Sequence, residues 1–560
     1  MPSDRSASAG RASASLTSET SGAPIGPATP IASGAATLKS RAASRAAMIP
    51  DVIAGVLAAA VALAASELLA GLVPGVPSLA IAVGALVISL QPPGAKDFMA
   101  TLFGTHDKLA LNLVVVIVAL VLGGVVGIVA RRRPSTAISI FIAFGALGLV
   151  ASVYSIFAPP ALSLLNALVA VALGLWTLRV LLGLSPAGQA VNGAGSRQTA
   201  SPMPDWARRR FLIRSAGFVG VAIAAGGVGR YMLDREHPTG APATAGLLPA
   251  PATAVPALAA DQSLTAPSLT PIVVANDAFY RIDTALLVPQ VDASAWQLRV
   301  TGMVDHPLTF TYNDLLAMPL FEQYVTIQCV SDIVGGDLVG NALWTGVRLR
   351  EVLANAGVQA GATQIIGRAV DGFTVGFPTA WAMAPQREPM VVVGMNRKPL
   401  PAEHGYPARL IVPGLYGYVS ATKWLTEIQL TTDALNAYWV NLGWAKDGPI
   451  LTQSRIDHPA NADVVPAGNV EIDGLAWAPD RGISRVEVRI DNGSWQPAML
   501  SRAISPATWV QWLYNWNATT GDHTIEVRAT DGTGAVQTDA VTDPFPDGAR
   551  GHQRILVQVK

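Results

Sequence analysis

Cysteine occurs once in this 560-residue chain, at Cys329. A single thiol cannot close an intramolecular disulfide, and it cannot build an iron–sulfur cluster, which needs several thiolates. Histidine is scarce as well, and none forms a pair within the apolar segments: His106 stands in a loop and His237 lies beyond the last of them. A b-type haem held between transmembrane histidines is therefore not expected. Charge is thin, with 14% of residues ionisable and 38 of each sign, so nothing recommends a nucleic-acid partner. What the chain has in excess is apolar residues, 51% of the total, and nearly all of that excess lies before residue 235.

Residues 1–47 are rich in Ser, Ala, Thr and Gly without apolar periodicity, and are expected to form a disordered cytoplasmic tail. The region 48–184 carries apolar segments near 50–73, 77–90, 109–130, 136–157 and 161–184. Four are long enough to cross about 30 Å of hydrocarbon as helices, whereas the second is short for a span. Lys39, Arg41 and Arg45 precede the first segment and Arg131–Arg133 follow the third. Basic flanks belong in the cytoplasm, which requires an even number of crossings between these two. The second segment is accordingly expected to be re-entrant or interfacial. A cytoplasmic linker, 185–207, leads to an element at 208–232 that begins Arg208–Arg214 and continues as a Gly/Ala/Val stretch. Two readings of it stand. It resembles a twin-arginine export signal placed internally, and it equally fits a positive-inside stop for a last transmembrane helix. Both put the C-terminal half of the chain outside the cytoplasm. The spans carry almost no charge at mid-depth, which favours anchoring or quinone contact over transport.

The remainder reads as soluble. Residues 233–270, rich in Pro and Ala, suit an extended tether. Over 271–450, strand-like runs such as Gln323–Gln328, Pro389–Gly394 and Ala408–Val412 mix with short helical ones such as Leu349–Ala356, an α+β pattern. From 451 to 560, short alternating strands such as Val470–Trp477 and Thr524–Ala529 indicate an immunoglobulin-like β-sandwich. The expected fold class is multidomain: a transmembrane helical domain, an α+β domain and a C-terminal sandwich.

Two stretches carry chemistry. Cys329 ends a β-branched run, Tyr324–Gln328, just before Gly335–Asp337 and Trp344–Val347. A lone thiol there can serve packing, nucleophilic attack or metal ligation. In the second stretch, His404 and Arg409 flank an apolar strand, and a loop through Gly417 comes next with Ser420, Thr422 and Lys423. Imidazole, guanidinium, hydroxyls, loop amides and an ammonium together hold a phosphate or a polar heterocycle. A polar strand edge with a hairpin turn is the plainer alternative.

Taken together, Cys329 with its Gly-rich loop and the His404–Leu425 run resemble the sulfite-oxidase family of molybdopterin-binding domains. Asn276–Arg281 resembles that family's first cofactor-contacting segment, and the sandwich resembles its dimerisation domain. The likeness covers about 273–555, while the anchored architecture resembles a bacterial branch of the family. It implies one Mo-molybdopterin, with Cys329 as the protein thiolate on molybdenum, a soft ligand suited to such a metal. It further implies cofactor contacts from Asn276, Tyr280, Arg281, Cys329, His404, Arg409, Ser420, Thr422 and Lys423, and a catalytic role for Arg481 near the oxyanion site. Asp371 is polar and well placed but has no secure counterpart.

Departures from the pattern bear on the substrate. Sulfite oxidases place basic residues after the ligand cysteine, where this chain has Val330–Val334 with Asp332 among them. Trp444 stands near the expected active-site tyrosine. The resemblance thus implies a membrane-tethered oxidoreductase of the cytoplasmic membrane, its catalytic domain outside, performing two-electron oxygen-atom transfer on a sulfoxide, N-oxide or sulfite-like small molecule. No cytochrome b5-type segment precedes the catalytic domain, so electrons are expected to pass through a separate carrier: a cytochrome, a quinone or a membrane redox partner. The sandwich also allows a homodimer. The competing reading is a non-enzymatic exported binding module anchored by the N-terminal helices.

Topology is directly testable. Reporter fusions after residue 240 are expected to give extracytoplasmic signals, and fusions after Arg133 cytoplasmic ones. A cytoplasmic signal after residue 240 would overturn the charge argument.

Overall fold

The computed structural model describes residues 33–73, 75–90, 107–155, 158–184, 205–236, 242, 246–285 and 287–560. Residues 1–32 of the expected tail and 185–204 of the expected linker lie outside the described residues. Among the described residues six helices come first: α1 (Ser33–Leu72), α2 (Leu79–Leu90), α3 (Asp107–Arg132), α4 (Pro134–Ser155), α5 (Pro160–Leu184) and α6 (Asp205–Glu236). The expectation of disorder up to residue 47 fails from Ser33 onward, because the alanine-rich run there favours helix over coil. The chain divides at Pro50, inside α1, into a small N-terminal unit and one, Asp51–Lys560, that holds the other elements.

Among the described residues five helices are long and apolar enough to cross a membrane, namely Met48–Leu72, Leu109–Arg132, Pro134–Tyr154, Pro160–Leu184 and Arg208–Arg235. At 12 residues α2 spans roughly 18 Å, well short of a bilayer core. Asp51, at the start of the first span, pairs with Arg131, at the end of α3, at 2.9 Å. These two helix ends therefore lie together, at the same end of the α1–α3 pair. Hydrophobic burial does not drive helices together in lipid, and close packing of small residues must do it. Gly55 of α1 lies against Gly123 and Gly127 of α3, and Gly71 against Gly229 of α6.

The segment expected to be a free tether is fastened down where it is described. Thr253 forms a parallel bridge to Phe321, the Val255 amide donates to Glu322 Oε2 at 3.1 Å, and Asp261 pairs with Arg502 at 2.7 Å. An extended Pro-rich chain keeps its backbone groups unspent, and a sheet edge can use them.

Next come β1 (Gln297–Gly302), β2 (Leu308–Thr311), β3 (Phe321–Gln328) and β4 (Val339–Arg348). After a helix at Leu349–Ala356 the chain forms β5 (Gln364–Ala369), β6 (Thr374–Pro378), β7 (Met390–Met395), β8 (Lys398–Pro399), β9 (Arg409–Ile411) and β10 (Leu425–Thr431). One sheet runs β2-β1-β10-β5-β6 and the other β3-β4-β7-β8, with β9 added on β7. β7 is buried along its whole length, as its continuous apolar sequence requires.

The sandwich comprises β11 (Gln453–His458), β12 (Val464–Val465), β13 (Gly468–Trp477), β14 (Ile483–Ile490), β15 (Gln496–Pro497), β16 (Met499–Leu500), β17 (Val510–Ala518), β18 (Gly521–Asp531) and β19 (Gln553–Val559). Its sheets run β11-β13-β17-β16 and β12-β19-β18-β14-β15 around Ile472, Val486, Trp512 and Ile525. It is welded to the α+β domain. Trp477 and Trp509 bury into the core of that domain, with indole N–H groups donating to Gln328 Oε1 and the Ile272 carbonyl, each at 2.9 Å.

Gly127→Val tests the helix packing, because a Cβ at Gly127 would sit 2.0 Å from the Asp51 carbonyl oxygen. A loss of about 1–3 kcal/mol is expected, read as a lower Tm in detergent. Gly183→Val, which meets open space, should leave Tm near the wild-type value.

Candidate active site

Cys329 comes directly after the last residue of β3, and its amide donates to the Leu338 carbonyl at 2.9 Å, closing the β3–β4 loop. Asp332 staples that loop from inside. Its carboxylate accepts from Gln328 Nε2 at 3.0 Å and from the Leu338 amide at 3.1 Å. Burial pushes this carboxyl up to about 6, against the two hydrogen bonds that favour the charged form. Asp332 therefore faces the loop interior and not the cleft. Cys329 Sγ, half-buried, lies 3.0 Å from Ser331 Oγ.

The thiol opens into a cleft of about 880 Å³, mouth included, where several of the expected residues converge. Cys329, Tyr280, His404, Arg409 and Lys423 all line it. His404 is buried, and its Nε2–H donates to the Asn276 carbonyl at 2.8 Å, which leaves Nδ1 as an acceptor. Burial, helped by the charges of Lys423 and Arg409, lowers its pKa to about 3, so the ring is neutral. Arg409 is 3% exposed, donates through Nη1 to the His404 carbonyl at 3.1 Å and leaves Nε without a partner. Burial brings even this guanidinium down to about 10. Lys423 Nζ donates to Asp283 at 3.1 Å and to the Glu403 carbonyl at 3.0 Å. Tyr280 is held well above the ordinary tyrosine range by burial and by the nearby Cys329 charge, and so keeps its proton.

Other expected residues serve at one remove. Asn276 orients His404 through its carbonyl, while its side chain bonds Asn396 at 2.7 Å. Arg281 pairs with Asp283 at 3.1 Å, Ser420 bonds the Tyr416 carbonyl at 2.9 Å, and Thr422 Oγ1 is buried without a partner. Arg481 is not brought to the cleft. Its guanidinium binds Asp531 at 3.0 Å, the Ile450 carbonyl at 2.9 Å and Asp480 at 3.2 Å, at the seam with the sandwich. Sequence reasoning missed Phe279, Asp283, Phe373, Tyr418 and Trp439 as lining residues. Asp283 had a signal, two positions after Arg281. The aromatic ones had none until Trp444 was seen beside Tyr418 and Trp439, with ring centroids at 5.9 and 6.5 Å.

Residues 285–439 match the oxidoreductase molybdopterin binding domain, and 453–527 match a bacterial Ig domain. Fold and site thus define a molybdopterin-binding oxidoreductase with an Ig-like domain, behind a set of apolar helices. Mitochondrial sulfite oxidase of Homo sapiens is 29% identical over 304 residues, 46% of this chain and 56% of that protein. The uncharacterized oxidoreductase YuiH of Bacillus subtilis is 34% identical over 157 residues, 28% of this chain and 76% of that protein. Among solved structures, the sulfane dehydrogenase SoxCD from Paracoccus pantotrophus aligns with a TM-score of 0.46 and 23% identity, over 53% of this chain and 83% of that one. The chain belongs to the sulfite-oxidase family of molybdopterin-dependent oxidoreductases. It is an enzyme, and the reading as a non-enzymatic binding module falls. The match spans about half the length of the human sulfite oxidase.

The residues present fit that family's cofactor. A buried guanidinium with an unpartnered Nε, and no carboxylate paired to it among the described residues, calls for an anion such as the pterin phosphate. Among the described residues no group of three or more His, Cys, Asp or Glu could hold a metal by itself. A metal beside Cys329 would therefore take its remaining ligands from the cofactor.

The neutral His404 makes stability pH-dependent. The unfolded imidazole takes its proton near 6.5 and the folded one only at about 3. Between those values the unfolded state binds more protons, so stability falls as pH is lowered through this window. His404→Gln keeps an N–H for Asn276 but does not titrate. It is expected to flatten the fall in Tm between about pH 7 and about pH 4.5, and an unchanged slope would exonerate His404.

Proposed function

We propose that this chain is a membrane-anchored oxygen-atom-transfer enzyme with its catalytic domain outside the cytoplasm, and that it reduces neutral organic oxides, sulfoxides or N-oxides, better than it oxidises sulfite. Bound in the cleft, the cofactor supplies a two-electron redox couple at which the oxygen atom is transferred. Cys329 would be its protein thiolate. Arg409 would hold its phosphate, His404 Nδ1 would accept from the pterin, and Lys423, steadied by Asp283, would close the same edge. Tyr280, which keeps its proton, can donate to an oxygen beside the thiol.

The observation that carries the substrate reading is the composition of the cleft. Beyond Cys329 its wall is Tyr418, Trp439, Trp444 and Phe373, and the carboxylates Asp283 and Asp371 line the same space. The lining cations are engaged, Lys423 by Asp283 and Arg409 by the His404 carbonyl and the proposed phosphate. Arg481 is bound at the seam. A small dianion needs several cations to replace its water, whereas a neutral organic group needs an apolar face and one donor. The relatives named sulfite oxidases make sulfite the natural comparison. The element at Arg208–Arg214 keeps both its export and its stop-transfer reading, and the electron partner is a separate carrier.

Cys329→Ser is expected to abolish turnover with the fold intact by circular dichroism. In the wild type, kcat/KM for the best sulfoxide or N-oxide should exceed that for sulfite by about tenfold or more. A sulfite value above every neutral oxide would overturn the substrate assignment, and wild-type activity in Cys329→Ser the thiolate assignment.

A further inference from the structure

The loop that presents Cys329 is closed at its base, but its far turn is glycine. Gly335 has a φ of 77°, in the region that favours glycine, and a Cβ on Gly336 would meet Asp332 Oδ1 at 2.1 Å. Neither position has a side chain with which to anchor itself, and the hold comes from outside. Arg455, on β11 of the sandwich, donates through Nη1 to the Gly336 carbonyl at 3.0 Å. The Gln553 side chain, on β19, packs so closely that a Cβ on Gly335 would lie 2.6 Å from it. Both grips are themselves fixed. Gln553 Oε1 accepts from the Ile456 amide at 2.6 Å, and Arg455 Nε donates to Asp457 Oδ1 at 2.6 Å. The remaining arm of the guanidinium, Nη2, donates to Thr270 Oγ1 at 3.0 Å. Thr270 ends the fastened segment that follows α6 in the chain. Its amide donates to Asp457 Oδ2 at 3.1 Å, and its carbonyl accepts from Gln511 Nε2 at 2.7 Å. Neither Arg455 nor the groups it holds line the cleft.

From this arrangement we propose that Arg455, backed by Gln553, is a positioning residue for the Cys329 thiol, acting through the Gly335–Gly336 turn and tied at Thr270 to the segment that leads from the membrane helices. The inference rests on the assignment of Cys329 as the cofactor's protein thiolate. Misplacing a reacting centre by about 1 Å can cost about a hundredfold in rate, so a thiolate at the end of a glycine loop needs the loop held. Arginine suits the task because its planar fork sets several acceptors at fixed angles at once, which an ammonium on a flexible stem does not. Here the acceptors belong to three elements: the Cys329 loop, β11 and the segment ending at Thr270. The position of the thiol therefore depends on how the sandwich and that segment are seated. A clamp serving stability alone would leave the chemistry of the thiol untouched. The two roles are separable because Cys329 is the only cysteine in the chain.

The test uses the full-length protein, cofactor-loaded for turnover and absorption and cofactor-free for alkylation by iodoacetamide. The variants are Arg455→Met and Arg455→Lys, with Arg502→Met as a control that removes the exposed pair with Asp261 elsewhere on the same segment. In Arg455→Met, alkylation of Cys329 is expected to quicken about fivefold as the loop opens. The loaded variant should show a shifted thiolate-to-molybdenum absorption band and a kcat lowered about tenfold, with KM for the best oxide within about twofold of wild type. Arg455→Lys, which keeps one donor for Gly336, should fall between, and Arg502→Met should match wild type in every reading. If Arg455→Met does not fold, Gln553→Ala carries the same expectations for alkylation and absorption. A wild-type band and alkylation rate in the Arg455 and Gln553 variants would overturn the proposal. Equal changes in Arg502→Met would overturn it too, since they would mark a general loosening. Neither the band nor the alkylation rate depends on the substrate, so a lack of turnover on every oxide would refute only the oxide-reducing reading. A wild type without the band would refute the thiolate assignment beneath the proposal.

Discussion

A buried amide sets the position of the thiol. Gln328, fully enclosed, donates to Asp332 with one end and accepts from the Trp477 indole with the other. The first bond closes the loop that presents Cys329, and the second fastens the sandwich to the strand carrying it. Either partner, if lost, would leave a buried polar group unsatisfied, at about 1–3 kcal/mol. Loop geometry and domain docking are therefore coupled through one side chain. The sandwich supports the active site through Trp477 and Trp509, and Arg481 works at the seam, away from the cleft.

One buried cation in the cleft, Arg409, is left without a counter-charge among the described residues. Arg409 is held by a backbone carbonyl and stacked at 5.1 Å from the Trp344 ring, with no carboxylate to neutralise it among the described residues. Such an arrangement is unfavourable for the protein alone and becomes favourable when a phosphate arrives. Lys423 is treated differently. Asp283 and the Glu403 carbonyl fix it, so it shapes the edge of the cleft. His404 stays neutral because two neighbouring cations and burial oppose its protonation together.

Much of this was legible from one-dimensional pattern. Span lengths, basic flanks and the short α2 can be read from hydropathy and charge, because lipid imposes a length and a sign. The α+β region and the sandwich can be read from strand periodicity. Cys329, His404, Arg409 and Lys423 were legible through the family resemblance that their two stretches carry, and all four line one cleft. The helical start at Ser33 was missed because composition alone does not separate an alanine-rich helix from a small-residue coil. The fastening of 246–270 was missed because an extended chain carries no mark of the edge it will join.

By itself, then, the sequence determined the order of the domains, the membrane segments and the chemical groups available to the site. Only the tertiary structure decided where those groups point. It turned Asp332 inward and drew Arg481 to Asp531, because a charged side chain takes the nearest partner that replaces its lost water. It also gathered Tyr418, Trp439, Trp444 and Phe373 into one wall and set Leu287 on the ends of the membrane helices. Such contacts join residues far apart in the chain, and local spacing carries no information about them.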